Sequence, residues 1–362
     1  MGLIPAVVPA AAADAAWLSA VLREAGRIGP EQIVDVQRAP CGVGQLADSF
    51  RFTVRYDRPT AAASTWVAKF ASRDATSREF GRSSGYYRSE IGFYRELAAR
   101  MPVSVPVAVH AALDTNQTDF VLLMEDLAPA RQVDQLDGCS ADESARVLEQ
   151  AAALHAKSWH SAELAKVDWL QSPLKIFTHA TDAFADIVQR FPDLCGDLVP
   201  DQDLRVAAQL IDHAERWKQL FATPQCLWHS DLRADNVMFD AAAGQRSVVI
   251  LDWQGLGYGL GTIDVAYWLG TRMATSERRS HERALVDHDH AALVGHGVRD
   301  YSRERCWNDY RRNAVHGLQI GVFGLGAVKR SPRGDRMRQN WIARTAAQVR
   351  DLHSYAALER SS

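Results

Sequence analysis

Polar and apolar residues alternate along the first third of the chain. Ser49-Phe50-Arg51-Phe52-Thr53-Val54-Arg55-Tyr56 has a period of two, which predicts a strand with one buried face, and Thr65-Trp66-Val67-Ala68-Lys69-Phe70 repeats the pattern after a turn of small residues. The two are expected to pair antiparallel. Between Arg78 and Met101 the period lengthens: Tyr86, Glu90, Phe93, Tyr94 and Leu97 recur at steps of three and four, predicting a helix that Pro102 stops. Phe120-Val121-Leu122-Leu123-Met124 is short and continuously apolar, as in a buried strand, and leads through Glu125-Asp126-Leu127-Ala128-Pro129 into a connector.

Beyond about residue 130 helical periods dominate. Ser140 and Glu143 have the spacing of a capping box and open an amphipathic helix through Leu148, Ala152, His155 and Trp159. One interruption stands out: Val237-Met238-Phe239 and Val248-Val249-Ile250-Leu251 flank Ala241-Ala242-Ala243-Gly244, which predicts a short hairpin among helices. A strand-rich first part and a helical second part predict an α+β protein of two lobes. No repeat of solenoid or propeller length is visible.

The bulk numbers narrow the function classes. With 47% hydrophobic and 23% charged residues in 362, the chain has the composition of a soluble globular protein, and no run of 18 apolar residues could span a bilayer. A net charge of -3 gives no field that would attract a nucleic acid or an anionic membrane surface. Five widely spaced cysteines (Cys41, Cys139, Cys195, Cys226, Cys306), none in C-x-x-C, argue against a disulfide framework or structural zinc and predict reduced thiols in a cytoplasmic protein. Met1 to Ala13 is apolar but lacks a basic n-region, so we read it as a lead-in to the helix of Trp17, Leu18, Val21 and Leu22 rather than a secretory signal.

The candidate chemistry lies between His229 and Asp252. His229-Ser230-Asp231 is followed by Asn236 and then, at the end of the predicted hairpin, by Asp252. Phosphoryl transfer from a nucleotide needs hard oxygen ligands for Mg2+ and a group that aims the acceptor hydroxyl. Asp231 would orient the hydroxyl and take its proton, while Asn236 and Asp252 would hold Mg2+. An isolated H-x-D could be no more than a turn; the Asn, the hairpin and the second Asp at these spacings favour the chemical reading.

H-x-D-x-x-x-x-N, the apolar strand and Asp252-Trp253-Gln254 resemble the catalytic and metal loops of the aminoglycoside phosphotransferase and choline kinase superfamily, which has a protein-kinase-like fold. The sequence is most similar to its ecdysteroid-kinase-like group, which also shares the helix end Leu154-His155-Ala156-Lys157-Ser158-Trp159. The resemblance runs from about Gly42 to about Arg312. It implies a small N-terminal antiparallel-sheet lobe over 1–124, a hinge at 125–130 and a larger, mainly helical lobe over 131–362. It further implies ATP and Mg2+ as cofactors, His229 as a support for the loop, Asp264 as its buried tether, Lys69 as the partner of the α- and β-phosphates and Glu90 as the residue that positions Lys69. Gly42 and Gly44, in Cys41-Gly42-Val43-Gly44-Gln45 ahead of the first strand, would cover the phosphates, and the backbone near Glu125 and Leu127 would receive adenine. Ser230 departs from the pattern, which usually has Gly there.

The acceptor is less legible. From Ile263 to Ser362 there are 17 Lys/Arg against 11 Asp/Glu, with Tyr267, Trp268, Tyr301, Trp307, Tyr310 and Phe323 in the same stretch. This favours a neutral, hydrophobic or anionic hydroxyl compound, such as a hydroxylated lipid, steroid or acyl thioester, over a polycationic aminoglycoside, the alternative substrate. A catalytically silent ligand-binding protein on the same fold is a further alternative. The expected partner is a small-molecule substrate, without nucleic acid or membrane, for a monomer or homodimer. Asp287-His288-Asp289-His290 with His296 is read as helix surface and core rather than as a transition-metal site.

Overall fold

In the computed structural model the described residues are all except 1–4, 43, 45, 137, 172–184, 224, 328–331 and 361–362. The alternating segment forms β2 of a five-stranded sheet that comprises β1 (Ile33–Pro40), β2 (Ala47–Tyr56), β3 (Thr65–Ala71), β4 (Ala108–Leu113) and β5 (Phe120–Glu125). Their order is β1-β2-β3-β5-β4 and every neighbouring pair is antiparallel. Phe50, Phe52 and Val54 point inward while Arg51, Thr53 and Arg55 face solvent, as a period of two requires. The buried face packs on α1 (Ala15–Glu24) through Trp17, Leu18, Val21 and Leu22. The edge strands β1 and β4 were not anticipated. Each buries a single residue, Ile33 in one and Ala112 in the other, so neither carries a readable alternation.

The helix expected from Arg78 to Met101 is divided. α2 (Ala75–Ser83) ends before Gly85, whose left-handed backbone (φ 76°) turns the chain into α3 (Tyr86–Gly92). A π-helical turn (Phe93–Leu97) and a 3-10 turn (Ala98–Arg100) then complete the run.

In the helical part, α4 (Ala141–Lys157) opens on the complete capping box of Ser140 and Glu143 and stops at Lys157, so Trp159 lies beyond the helix rather than within it. α5 (Asp201–Ala208), α6 (Leu210–Gln219), α7 (Thr262–Arg272), α8 (Thr275–Gly295), α9 (Arg303–Asn313), α10 (Val315–Ala327), α11 (Pro332–Asp351) and α12 (Ser354–Glu359) follow. Between α6 and α7 the chain forms β7 (Cys226–Trp228), the hairpin of β8 (Val237–Ala241) and β9 (Arg246–Ile250), and β10 (Gly257–Gly259). A two-residue strand, β6 (Arg131–Gln132), joins the hairpin, and β10 pairs with β7. The architecture is the expected α+β arrangement. Cys41, Cys139, Cys226 and Cys306 are free thiols. Among the described residues no helix is long and apolar enough to cross a membrane.

Along α8 the acidic and histidine side chains turn to separate partners. Asp287 pairs with Arg283 and Arg303, His288 Nε2 meets Glu149, and His290 Nε2 meets the Tyr301 carbonyl. Among the described residues, no group of three or more His, Cys, Asp or Glu could hold a metal ion. Asp289 is buried, and its Oδ1 has no hydrogen-bond partner among the described residues. Burial raises its pKa from 3.8 to about 6, against the pull of His155, His290 and His288 and with a small push from Asp264. A carboxyl raised on folding binds protons more tightly in the native state. Its contribution to stability is therefore fullest below pH 3.8 and is lost as pH rises through about 6. Asp289→Asn is expected to raise stability at pH 8 by up to about 3 kcal/mol and to flatten this part of the profile. Urea unfolding of both proteins at pH 5 and pH 8 checks it; a variant less stable at pH 8 refutes it.

Candidate active site

β7 delivers His229 to the middle of the molecule, where a buried carboxylate fixes the chain. Asp264, in the first turn of α7, accepts from the N–H of His229 (2.7 Å) and the N–H of Ser230 (2.9 Å), and His155 Nε2 lies 3.1 Å from it. The His229 ring faces the other way: Nε2 donates to the Leu251 carbonyl (2.9 Å), which leaves Nδ1 to accept the Asp231 N–H (3.3 Å). His229 thus ties the Asp231 loop to Leu251, between the end of β9 and Asp252.

Ser230 stands in left-handed backbone (φ 70°), where glycine is the easy choice. Its Oγ donates to the Gly255 carbonyl (2.8 Å), a bond that glycine could not make. The accommodation is mutual, since a Cβ at Gly255 would collide with that hydroxyl.

Asp231 is held from three sides. Tyr267 OH donates to Oδ1 (3.1 Å), Asn236 Nδ2 to Oδ2 (3.0 Å), and Arg233 Nε lies 3.2 Å away. Asn236 Nδ2 also donates to the Asp231 carbonyl (2.8 Å), so both amide hydrogens are engaged and the oxygen is the atom left to accept. Burial opposes the charge on Arg233, yet Asp231 and Asp235 hold its pKa above the usual arginine value.

Lys69 Nζ on β3 bridges Glu90 on α3 (2.7 Å) and Asp252 (2.8 Å). Burial disfavours the ammonium, but the two carboxylates outweigh it and its pKa rises. One cation shared by two acids serves them unequally. The Glu90 side chain is 2% exposed and that of Asp252 is 23% exposed. Desolvation accordingly pushes Glu90 up, while Lys69 holds Asp252 below the ordinary carboxylate value despite burial. Asp252 also has a left-handed backbone (φ 62°). The next residue anchors it: Trp253 stacks on Phe93 (3.9 Å, 11°), meets the His229 ring edge-on (4.8 Å), and donates from Nε1 to the Ile250 carbonyl (3.2 Å).

The chain therefore brings Lys69, Glu90 and Asp252 into direct contact and links Asp231, Asn236 and His229 to one another. The remaining expected residues lie along the sheet. Gly42 (φ 78°) and Gly44 fall in the turn between β1 and β2, which the Cys41 N–H closes on the Ser49 carbonyl (2.9 Å). The turn therefore follows a strand instead of preceding the first one, because β1 was not legible; Val43 and Gln45 lie outside the described residues. Glu125 ends β5, with its N–H on the Val107 carbonyl and its carboxylate on the Val107 N–H and Arg246. Leu127 is buried and its carbonyl accepts from the Ala130 N–H (2.8 Å). Tyr267, Arg233 and the Phe93–Trp253 stack were not anticipated. Tyr267 lies three residues beyond Asp264, one helical turn along the same face, and that spacing was the available signal.

The model of the phosphotransferase enzyme family matches residues 42–307, and the chain belongs to that family. The fold is similar to that of a microcompartment-associated aminopropanol kinase (15% identity, TM-score 0.54, covering 89% of this chain and 94% of the other). It is similar also to a Plasmodium vivax ethanolamine kinase (9% identity, TM-score 0.51, covering 92% and 85%) and to ADP-bound aminoglycoside phosphotransferase APH(2'')-Ib (13% identity, TM-score 0.50, covering 91% and 99%). No curated protein matches the chain. At these identities the solved structures establish the kinase-like fold.

Proposed function

We propose that the protein is an ATP- and Mg2+-dependent kinase that phosphorylates a hydroxyl group of a small molecule. The observation that supports this most is the meeting of Lys69, Glu90 and Asp252, from three separate elements, with the Leu251 N–H beside Asp252 bonded to the carbonyl of Asn236, which in turn holds Asp231. The donor set suits magnesium: Asn236 offers an amide oxygen, and Asp252 an ionised carboxylate with one oxygen on Lys69. When bound, Mg2+ would neutralise the phosphates and favour charge transfer onto the leaving nucleotide. Lys69 binds the α- and β-phosphates and Glu90 orients it. Asp231 aligns the acceptor hydroxyl and takes its proton, with Tyr267 and Asn236 fixing its carboxylate. His229 supports the loop.

In this reading residues 1–124 form the nucleotide lobe, 125–130 the hinge that receives adenine near Glu125 and Leu127, and 131–362 the catalytic and acceptor lobe. Gly42 and Gly44 allow backbone N–H groups to approach the phosphates. We place the enzyme nearest the ecdysteroid-kinase-like group on Asp252-Trp253-Gln254 and the Leu154 to Trp159 helix end, working in the cytoplasm. The acceptor is neutral, hydrophobic or anionic. Several arginines behind the basic excess after Ile263 are committed to carboxylates, Arg278 to Glu282 and Asp351 and Arg312 to Asp309, which shifts the weight toward a neutral one.

A 31P NMR screen of Mg-ATP with hydroxylated lipids, steroids, hydroxyacyl thioesters and aminoglycosides tests the proposal. A new phosphate-ester signal that EDTA abolishes is expected. Nucleotide binding without transfer to any acceptor would favour a silent binding protein.

A further inference from the structure

Aromatic side chains approach Asp231 from the helical part, where the Tyr267 hydroxyl donates to it and the Tyr267 ring lies 5.7 Å from Trp341 of α11. A second aromatic pair approaches from the sheet side. Tyr86 opens α3 one turn before Glu90, so the two share the helix face that Glu90 turns toward Lys69 and Asp252. α3 is fixed against the segment that follows Asp252 by Ser89 Oγ on the Leu256 carbonyl (3.2 Å) and by the Phe93–Trp253 stack. Tyr86 OH has no hydrogen-bond partner among the described residues. Burial, and then the charges of Asp231 and Asp252, push its pKa up to about 12, in keeping with a place close to both.

The Tyr86 ring meets Phe80 of α2 edge-on at 5.9 Å. Phe80 is 46% exposed and lies in a shallow depression of about 490 Å3 with Ala75, Thr76, Glu79 and Ser83. One exposed phenylalanine is ordinary. A phenylalanine continuous with a tyrosine on the catalytic face of α3 is a surface with a direction. Glu79 is the carboxylate that could draw a cationic acceptor here, and Arg82 occupies it with two bonds (2.8 and 2.6 Å).

We propose that Phe80 and Tyr86 form the sheet-side wall of the acceptor pocket, and that the acceptor is a neutral alcohol with a flat apolar body that packs on this pair while its hydroxyl reaches Asp231. The inference rests on the kinase reading of the site. Ring-on-ring packing supplies affinity and orientation, and the free Tyr86 hydroxyl supplies a donor for the oxygen end of the acceptor.

The probe is 2-phenylethanol, with ethanolamine as its cationic counterpart, each titrated calorimetrically into the Mg2+ complex of the non-hydrolysable nucleotide AMP-PNP. The wild-type protein is expected to bind 2-phenylethanol more tightly than ethanolamine, and Phe80→Ala and Tyr86→Ala to weaken 2-phenylethanol about tenfold. Tyr86→Phe should lose only the part due to the hydroxyl. Because Phe80 is so exposed, its replacement leaves folding out of the comparison. Equal affinities in wild type and Phe80→Ala, tighter ethanolamine, or no 2-phenylethanol binding overturns the inference. Failure of the wild type to bind AMP-PNP strikes the kinase reading instead.

Discussion

Asp231→Asn is expected to slow phosphoryl transfer by about a thousandfold while nucleotide affinity stays within a few-fold of wild type. The substitution keeps the shape of the side chain and removes its ability to take a proton. Its neighbours allow the exchange: Asn236 keeps its bond to the residue 231 carbonyl, and Arg233 keeps Asp235. Lys69 and Asp252, the residues proposed to meet the nucleotide, are held by each other, whereas the Asp231 carboxylate is held by Tyr267, Asn236 and Arg233. Single-turnover formation of the phosphate ester, beside a fluorescent-nucleotide titration, separates the two effects. Unchanged turnover in Asp231→Asn would remove Asp231 from the proposed chemistry.

How much of this could be read in the sequence depended on how far each signal was local. β2 and the capping box of α4 were legible because one strand face or one helix turn contains the whole pattern. The β8/β9 hairpin was legible for the same reason. β1 and β4 were not, because edge strands that bury one residue each carry no period. The break at Gly85 was hidden because the residues that recur at three- and four-residue steps, Tyr86, Glu90 and Phe93, all lie after it and no period marks the end of α2, so only the left-handed backbone shows that the helix to its N-terminal side is a separate one.

The candidate site follows the same rule. Asp231, Asn236 and Asp252 lie within 22 residues and could be read together. The Lys69 bridge to Asp252 spans 183 positions and was not anticipated; the resemblance pointed to Lys69 with Glu90, not to this contact. Tyr267 and Arg233 share the Asp231 carboxylate for reasons of three-dimensional packing that a linear pattern does not record. Ser230 shows why a departure from a motif is best judged on geometry: the left-handed backbone that favours glycine is retained, and the added hydroxyl finds an acceptor in Gly255.

Asp264→Ala is expected to damage the whole loop at once. The carboxylate satisfies two backbone N–H groups and meets His155, all in the interior. Deleting it leaves those donors without an acceptor, which costs about 3 kcal/mol. It also releases Ser230 from the contact opposing its left-handed strain, so Asp231 loses its aim, and turnover should fall about a hundredfold even in the fraction that remains folded. Asp264→Asn should rescue little, since an amide offers one acceptor oxygen and turns its own NH2 toward a donor. His155→Gln should be mild, because it retains a donor toward Asp264 and leaves both backbone bonds intact. Urea unfolding and single-turnover rates on the three variants test this order. If Asp264→Ala were as stable and as active as His155→Gln, the loop would be held by the Leu251, Gly255 and Tyr267 contacts, and Asp264 would be an ordinary buried residue of α7.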